Sequence, residues 1–184
     1  YTPLVLDVLR QKGVPAVFFL VGRNIIHIPD VVRDMVADGH EIGSHTFFHP
    51  DITNVSDIRR HIELSALQRL IVSVTGHSTT LFRSPYGRGF GPLTAAQARP
   101  FDAIAKEGYA ILGSTVVPPD WATRDPDRIV ASALEQMLPS GGNVIVLHDG
   151  GGDRRATVAA LPALVDALRE RGYRFASVAD LLGV

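Results

Sequence analysis

The chain has 184 residues, 46% of them hydrophobic and 20% charged, which fits one globular domain with a real core and excludes a disordered chain. Its 18 basic and 19 acidic residues nearly cancel, so no basic stripe invites nucleic acid and no polybasic run invites an anionic membrane. Cysteine is absent, which removes disulfides, zinc-thiolate sites and thiol nucleophiles together.

In chain order, "YTPLVLDVLRQKG" predicts a helix, with Thr2 as cap, Pro3 at the first helical position and Gly13 at the end. "VPAVFFLVG" is a continuous apolar run of the kind found in strands buried on both faces. "IPDVVRDMVADG" reads as a helix and "HEIGSH" as a short strand. A longer helix follows in "SDIRRHIELSALQRLIVSVTG", with Ile58, Ile62, Ala66, Leu70 and Val74 as its apolar stripe. "TTLFRS" is strand-like, "FDAIAKEG" helical and "YAILGSTVV" a strand. "DPDRIVASALEQML" is a helix with Asp125 as cap and Pro126 at its first position. "NVIVLHD" is the clearest strand, "TVAALPALVDALRERG" a helix containing Pro162, and "YRFASV" the last strand.

This alternation predicts an α/β fold of parallel strands, either a barrel or a doubly wound sheet. A full eightfold barrel takes about 250 residues. The expectation is therefore a distorted, incomplete (β/α) barrel over residues 1–184, lacking at least one N-terminal strand, because the opening helix has no strand before it. No apolar run reaches the ~18 residues of a membrane span, and no signal peptide opens the sequence.

In parallel β/α folds chemistry sits at the carboxyl ends of strands. His45 and His49, Arg83 and Tyr86, Asp120 and Trp121, and His148 with Asp149 all follow predicted strands, which puts four sets of candidates on one rim. On a regular strand His45 and His49 would stand about 13 Å apart. In a helical turn they become neighbours at about 5–6 Å, close enough to share one zinc. A short helical turn after the strand, with Gly43 permitting it and Pro50 discouraging its continuation, is the conformation expected. Taken alone, the pair reads equally as two surface histidines near a turn. Catalytic zinc usually takes three protein ligands, and spacing does not choose among Asp51, Asp120, Asp149 and Asp153 for a third.

"FRSPYG" is a turn with Pro85 at its corner and Gly87 at positive φ, or a site in which Arg83 orients a carboxylate and Tyr86 offers its backbone N–H or ring. "VLHDGGGDR" lacks both phosphate-loop signatures, and its aspartates would repel phosphate. His148, ending a buried strand, suits a general acid. Trp121 suits either the core or a sugar-facing wall.

"HTFFH", "RSPYG", "PDW" and "VLHD", in this order, resemble motifs two to five of the polysaccharide deacetylase domain, carbohydrate esterase family four, over essentially the whole chain. The resemblance implies a distorted (β/α) barrel that removes N-acetyl or O-acetyl groups from a polysaccharide or oligosaccharide with a divalent metal, Zn2+ or else Co2+. By position it makes His45 and His49 metal ligands, Arg83 the residue holding the catalytic base, and Tyr86 an oxyanion donor through its backbone N–H. It makes Asp120 the partner of the acid His148, and Trp121 and Leu147 walls of the acetyl pocket. The family's first motif, T-F-D-D-G-P, is expected just before Tyr1, so the chain is read as an N-terminally truncated catalytic domain without its base and third ligand, and is expected to be inactive without that upstream Asp-Asp motif. Val117 stands where many relatives carry another aspartate. The resemblance also implies a secreted or cell-envelope protein. Two alternatives share the scaffold: a non-catalytic glycan-binding relative, and an amidohydrolase acting on small C–N substrates.

Overall fold

A computed structural model describes residues 1–139 and 141–182, which gather into two compact units. Residues 17–113 form one; residues 1–16 with the described residues from 114 onward form the other.

The 17–113 unit is built on a parallel sheet of four strands in the order β1 (Val17–Leu20), β2 (Glu41–Ser44), β3 (Leu81–Phe82) and β4 (Ala110–Ile111). Helices connect successive strands, as parallel pairing requires. The short α2 (Gly22–Ile25) and α3 (Pro29–Ala37) link β1 to β2, α4 (Asp57–Thr75) links β2 to β3, and α5 (Ala95–Lys106) links β3 to β4. Ile52, Leu64, Phe82, Phe101 and Ile104 form the core of this unit. Gly43 lies within β2 and not in a turn. A Cβ there would fall 2.5 Å from the Phe19 ring, so the glycine leaves the space on β2 that this ring fills.

The apolar face of α4 is not the expected one. Its buried residues are Arg60, Glu63, Leu64, Leu67 and Ile71, while Ile58 and Ile62 are 76% and 52% exposed. The reason is geometric. Steps of four residues drift by about 40° each around a helix of 3.6 residues per turn. A series made only of such steps winds off one face, whereas 60, 63, 64, 67 and 71 mix steps of three and four.

The second unit holds α1 (Thr2–Lys12), α6 (Pro126–Gln136), α7 (Arg155–Glu170) and α8 (Val178–Leu182). Tyr1, not Thr2, is the N-cap of α1, and Gly13 ends that helix in the left-handed region. Asp125 caps α6 as expected, accepting from the N–H groups of Asp127 and Arg128. Pro162 is carried inside α7. "NVIVLHD" contributes a single parallel bridge, Ile145 to Val116; among the described residues its backbone–backbone hydrogen bonds reach only residues 115–116. "YRFASV" forms no strand. Tyr173 and Phe175 alternate inward against Val116, Ala133, Leu164 and Leu168, and side-chain packing, not a ladder, holds the segment. Among the described residues no helix is long and apolar enough to cross a membrane.

Candidate functional site

Each unit gathers one group of the expected residues. In the 17–113 unit, β2 ends at Ser44, and the His45 N–H donates to Leu20 O at 2.9 Å. The chain then bends without a helical turn. Thr46 and His49 both take left-handed backbone conformations, with φ of 68° and 61°. Non-glycine residues adopt these at a cost, and surrounding contacts must hold them there. Gly22 and Arg23, at the start of α2, donate to the carbonyls of Thr46 and Phe47 at 3.2 and 2.9 Å. The His49 N–H donates to Thr46 Oγ1 at 3.0 Å, and the Phe48 N–H to Glu63 Oε2 at 2.7 Å. The bend brings the His45 and His49 rings to 4.8 Å between centroids at 72°. The neighbourly pair was expected; its route, through left-handed residues in place of a helical turn, was not.

His45 Nδ1 lies 2.8 Å from Arg83 O. A carbonyl only accepts, so Nδ1 carries the proton and the ring's lone pair is on Nε2. That is the tautomer in which imidazole ligates a cation. Two imidazoles sharing a tetrahedral zinc at ~2.0–2.1 Å have centroids about 5 Å apart. The pair therefore fits such an ion as two of its ligands. Among the described residues no third His, Cys, Asp or Glu joins them. Asp51, a sequence candidate for that place, instead accepts from the Thr53 N–H and hydroxyl, from Asn54 and from Arg88. The Thr53 hydroxyl chiefly holds its carboxyl below the ordinary value, with Arg88 adding to the effect.

Tyr86 stands against the pair. Its ring is 4.8 Å from that of His49, and its hydroxyl donates to His49 O at 3.3 Å. Tyr86 and Gly87 are consecutive left-handed residues, φ 59° and 62°, which fold "RSPYG" back on itself. Arg83 sends Nη1 to Leu112 O at 3.4 Å, and its guanidinium lies 5.8 Å from the Phe90 ring centroid. Burial draws its pKa down, yet an arginine so shifted stays cationic at neutral pH.

The second unit holds the other group. Asp120, 1% exposed, follows the two prolines of "VPPDW". Its Oδ1 accepts from His148 Nδ1 at 2.8 Å, and its Oδ2 from the His148 N–H at 2.7 Å and from Thr157 Oγ1 at 3.1 Å. Gripped at both ring and backbone, His148 keeps 43% of its side chain exposed. Trp121, half-exposed, meets the His148 ring edge to face at 5.5 Å. Leu147 packs against the core of this unit beside Ile145.

Three residues escaped the sequence reading. Glu63 has Arg59 four positions earlier and reads as one half of an exposed helical ion pair, but it is 1% exposed. Thr157 looks like an ordinary first-turn threonine of α7. Arg154 is 92% buried (8% exposed) and donates to Gly150 O, Gly151 O and Asp153 O, tying down the glycine loop that follows His148.

A sequence profile described as polysaccharide deacetylase matches residues 1–111. A chitooligosaccharide deacetylase of Bradyrhizobium sp. (strain ANU 289) is 38% identical, covering 94% of this chain and 80% of that protein. A peptidoglycan-N-acetylglucosamine deacetylase of Bacillus cereus is 34% identical, covering 99% and 82%. Among solved structures, the Bc1960 peptidoglycan N-acetylglucosamine deacetylase superposes with a TM-score of 0.88 at 27% identity, covering 98% of this chain and 81% of that one. The chain belongs to the polysaccharide deacetylase family, which makes it a hydrolase of the carbohydrate deacetylase class and agrees with its parallel α/β fold.

Proposed function

We propose that this chain is a metal-dependent domain that removes acetyl groups from a glycan containing N-acetylglucosamine, working outside the cytoplasm. The observation that carries the metal reading is the His45–His49 pair, one ring of which is fixed by Arg83 O as the Nδ1–H tautomer. Zn2+ suits two imidazoles best, with Co2+ as a substitute. When bound, such an ion polarises the acetyl carbonyl and lowers the pKa of water. The Tyr86 N–H is assigned to the developing oxyanion. Arg83 is assigned to orienting a carboxylate base through a forked contact.

His148 is assigned as the general acid. Its Nδ1–H is held by Asp120, so the proton it delivers to the leaving amine comes from Nε2. Asp120 remains the acceptor throughout and steadies the imidazolium. Trp121 and Leu147 are assigned to walls around the acetyl group. The glycan substrate and the extracytoplasmic location rest on the relatives, which are named for chitooligosaccharide and peptidoglycan.

The test is acetate release from N-acetylated chitooligosaccharide and from peptidoglycan fragments, with Zn2+ or Co2+ supplied, by a protein that carries this chain together with the upstream Asp-Asp motif that the family resemblance implies. Replacing His45 or His49 by alanine abolishes release and metal uptake together. His148→Ala slows release strongly and leaves metal uptake intact. Release by the His148 variant at the parent rate removes His148 as the acid. Glycan binding without any release replaces the hydrolytic reading with a binding one.

A further inference from the structure

We infer that Glu63 is a positioning residue for the His45–His49 pair: from α4 it holds the peptide between the two rings in the conformation that brings them to one point. This rests on the reading of the pair as metal ligands.

The loop 45–49 is four residues from ring to ring, and two of its residues, Thr46 and His49, sit in left-handed conformations. Nothing local favours that shape, since neither is glycine and no helical hydrogen bond closes the bend. Past His45, whose N–H is held by Leu20 O, two contacts hold the loop's N–H groups. One is internal, His49 N–H to Thr46 Oγ1. The other reaches across from α4, Phe48 N–H to Glu63 Oε2 at 2.7 Å, a short charge-assisted bond.

Glu63 is placed for this contact at a cost that an ordinary helical ion pair does not carry. A carboxylate 1% exposed loses its hydration and must be compensated on every side. Arg59 supplies that compensation, with Nε and Nη2 at 2.8 and 2.6 Å from Oε1. Arg59 also lies 5.4 Å from the Phe48 ring centroid, so carboxylate, guanidinium and the residue between the histidines close into one cluster. One oxygen answers Arg59 and the other answers the loop. If Glu63 only served the ion pair, it could stay at the surface, where Arg59 is already 47% exposed.

The experiment measures Zn2+ and Co2+ affinity of the chain by competition with a chromophoric chelator, alongside amide hydrogen exchange at Phe48. Three variants are compared with wild type: Glu63→Gln, Glu63→Asp and Arg59→Ala. Glu63→Asp keeps the charge and a hold on Arg59 but is too short to reach the Phe48 N–H. It therefore serves if the glutamine variant fails to fold. We expect faster Phe48 exchange and metal affinity about 10–100-fold lower in both Glu63 variants, as when a group supporting a metal ligand is lost. Arg59→Ala strips the buried carboxylate of its cation but keeps the Phe48 contact, so Phe48 exchange and metal affinity move in the same direction as in the Glu63 variants, by less than about tenfold. Faster Phe48 exchange with unchanged metal affinity overturns the inference and leaves the pair as ligands. Failure of wild type itself to take up either metal, matching His45→Ala, overturns both.

Discussion

Asp120→Asn tests the second group at the point where its geometry is most demanding. Asp120 accepts three hydrogen bonds, from His148 Nδ1, the His148 N–H and the Thr157 hydroxyl. Asparagine has the same shape but one acceptor oxygen, and its NH2 must face a donor wherever it is placed. While His148 keeps its proton on Nδ1, at least one of three donors then goes unmatched, at about 1–3 kcal/mol for a buried group. For a chain of this length that lowers Tm by about 2–4 °C per kcal/mol, so about 2–12 °C in all. The lower half of that range is expected, because water reaches the half-exposed His148 ring. The NH2 relieves its conflict best by facing Nδ1, which drives His148 to the opposite tautomer. Calorimetry reads the first effect and 15N shifts of the imidazole nitrogens the second. Thr157→Val removes one donor, keeps the carboxylate, and costs about 0.5–1.5 kcal/mol, the net value of one hydrogen bond. An Asp120→Asn variant that melts with wild type and keeps its proton on Nδ1 refutes the assignment of Asp120 as the group that orients His148.

Gly43→Ala puts a Cβ 2.5 Å from the Phe19 ring and destabilises the chain by about 1–3 kcal/mol in urea unfolding. Combining it with Phe19→Ala gives less than the sum of the two losses, because the clash is gone. A strictly additive pair would mean the two strands do not meet as described. Asp153 is held well below the ordinary carboxylate range, first by hydrogen bonding from Arg155 and further by the Tyr1 hydroxyl. With the folded value depressed, its contribution is present above the unfolded value of about 3.9 and is lost as pH falls through the folded one. A carboxyl 13C titration shows a midpoint well under 3.9 in wild type, and Arg155→Ala raises it.

The fold class was legible because apolar runs and helical segments alternate, and because Asp125-Pro126 and Gly13 mark helix ends. What was not legible depends on partners distant in the chain. "NVIVLHD" has every local property of a strand, yet among the described residues its backbone–backbone hydrogen bonds reach only residues 115–116. "YRFASV" alternates inward and outward with no ladder to join. Among the site residues, the histidine pair was legible by spacing and residue type. The bend that unites them was not, since left-handed Thr46 and His49 are made tolerable by α2 and by Glu63, far off in sequence. Thr157 stayed hidden for the same reason. Nothing in its own helix hints that its hydroxyl answers a carboxylate 37 positions earlier.

The hydrogen bond from His45 to Arg83 goes to the main chain. Every amino acid at position 83 brings that same carbonyl, so the ring's orientation is insured against replacement of the guanidinium. Mutagenesis there consequently reports the guanidinium and its contacts with Leu112 O and Phe90, while the carbonyl that holds the imidazole is retained. In descent, the arginine could be traded away and the histidine would still be aimed.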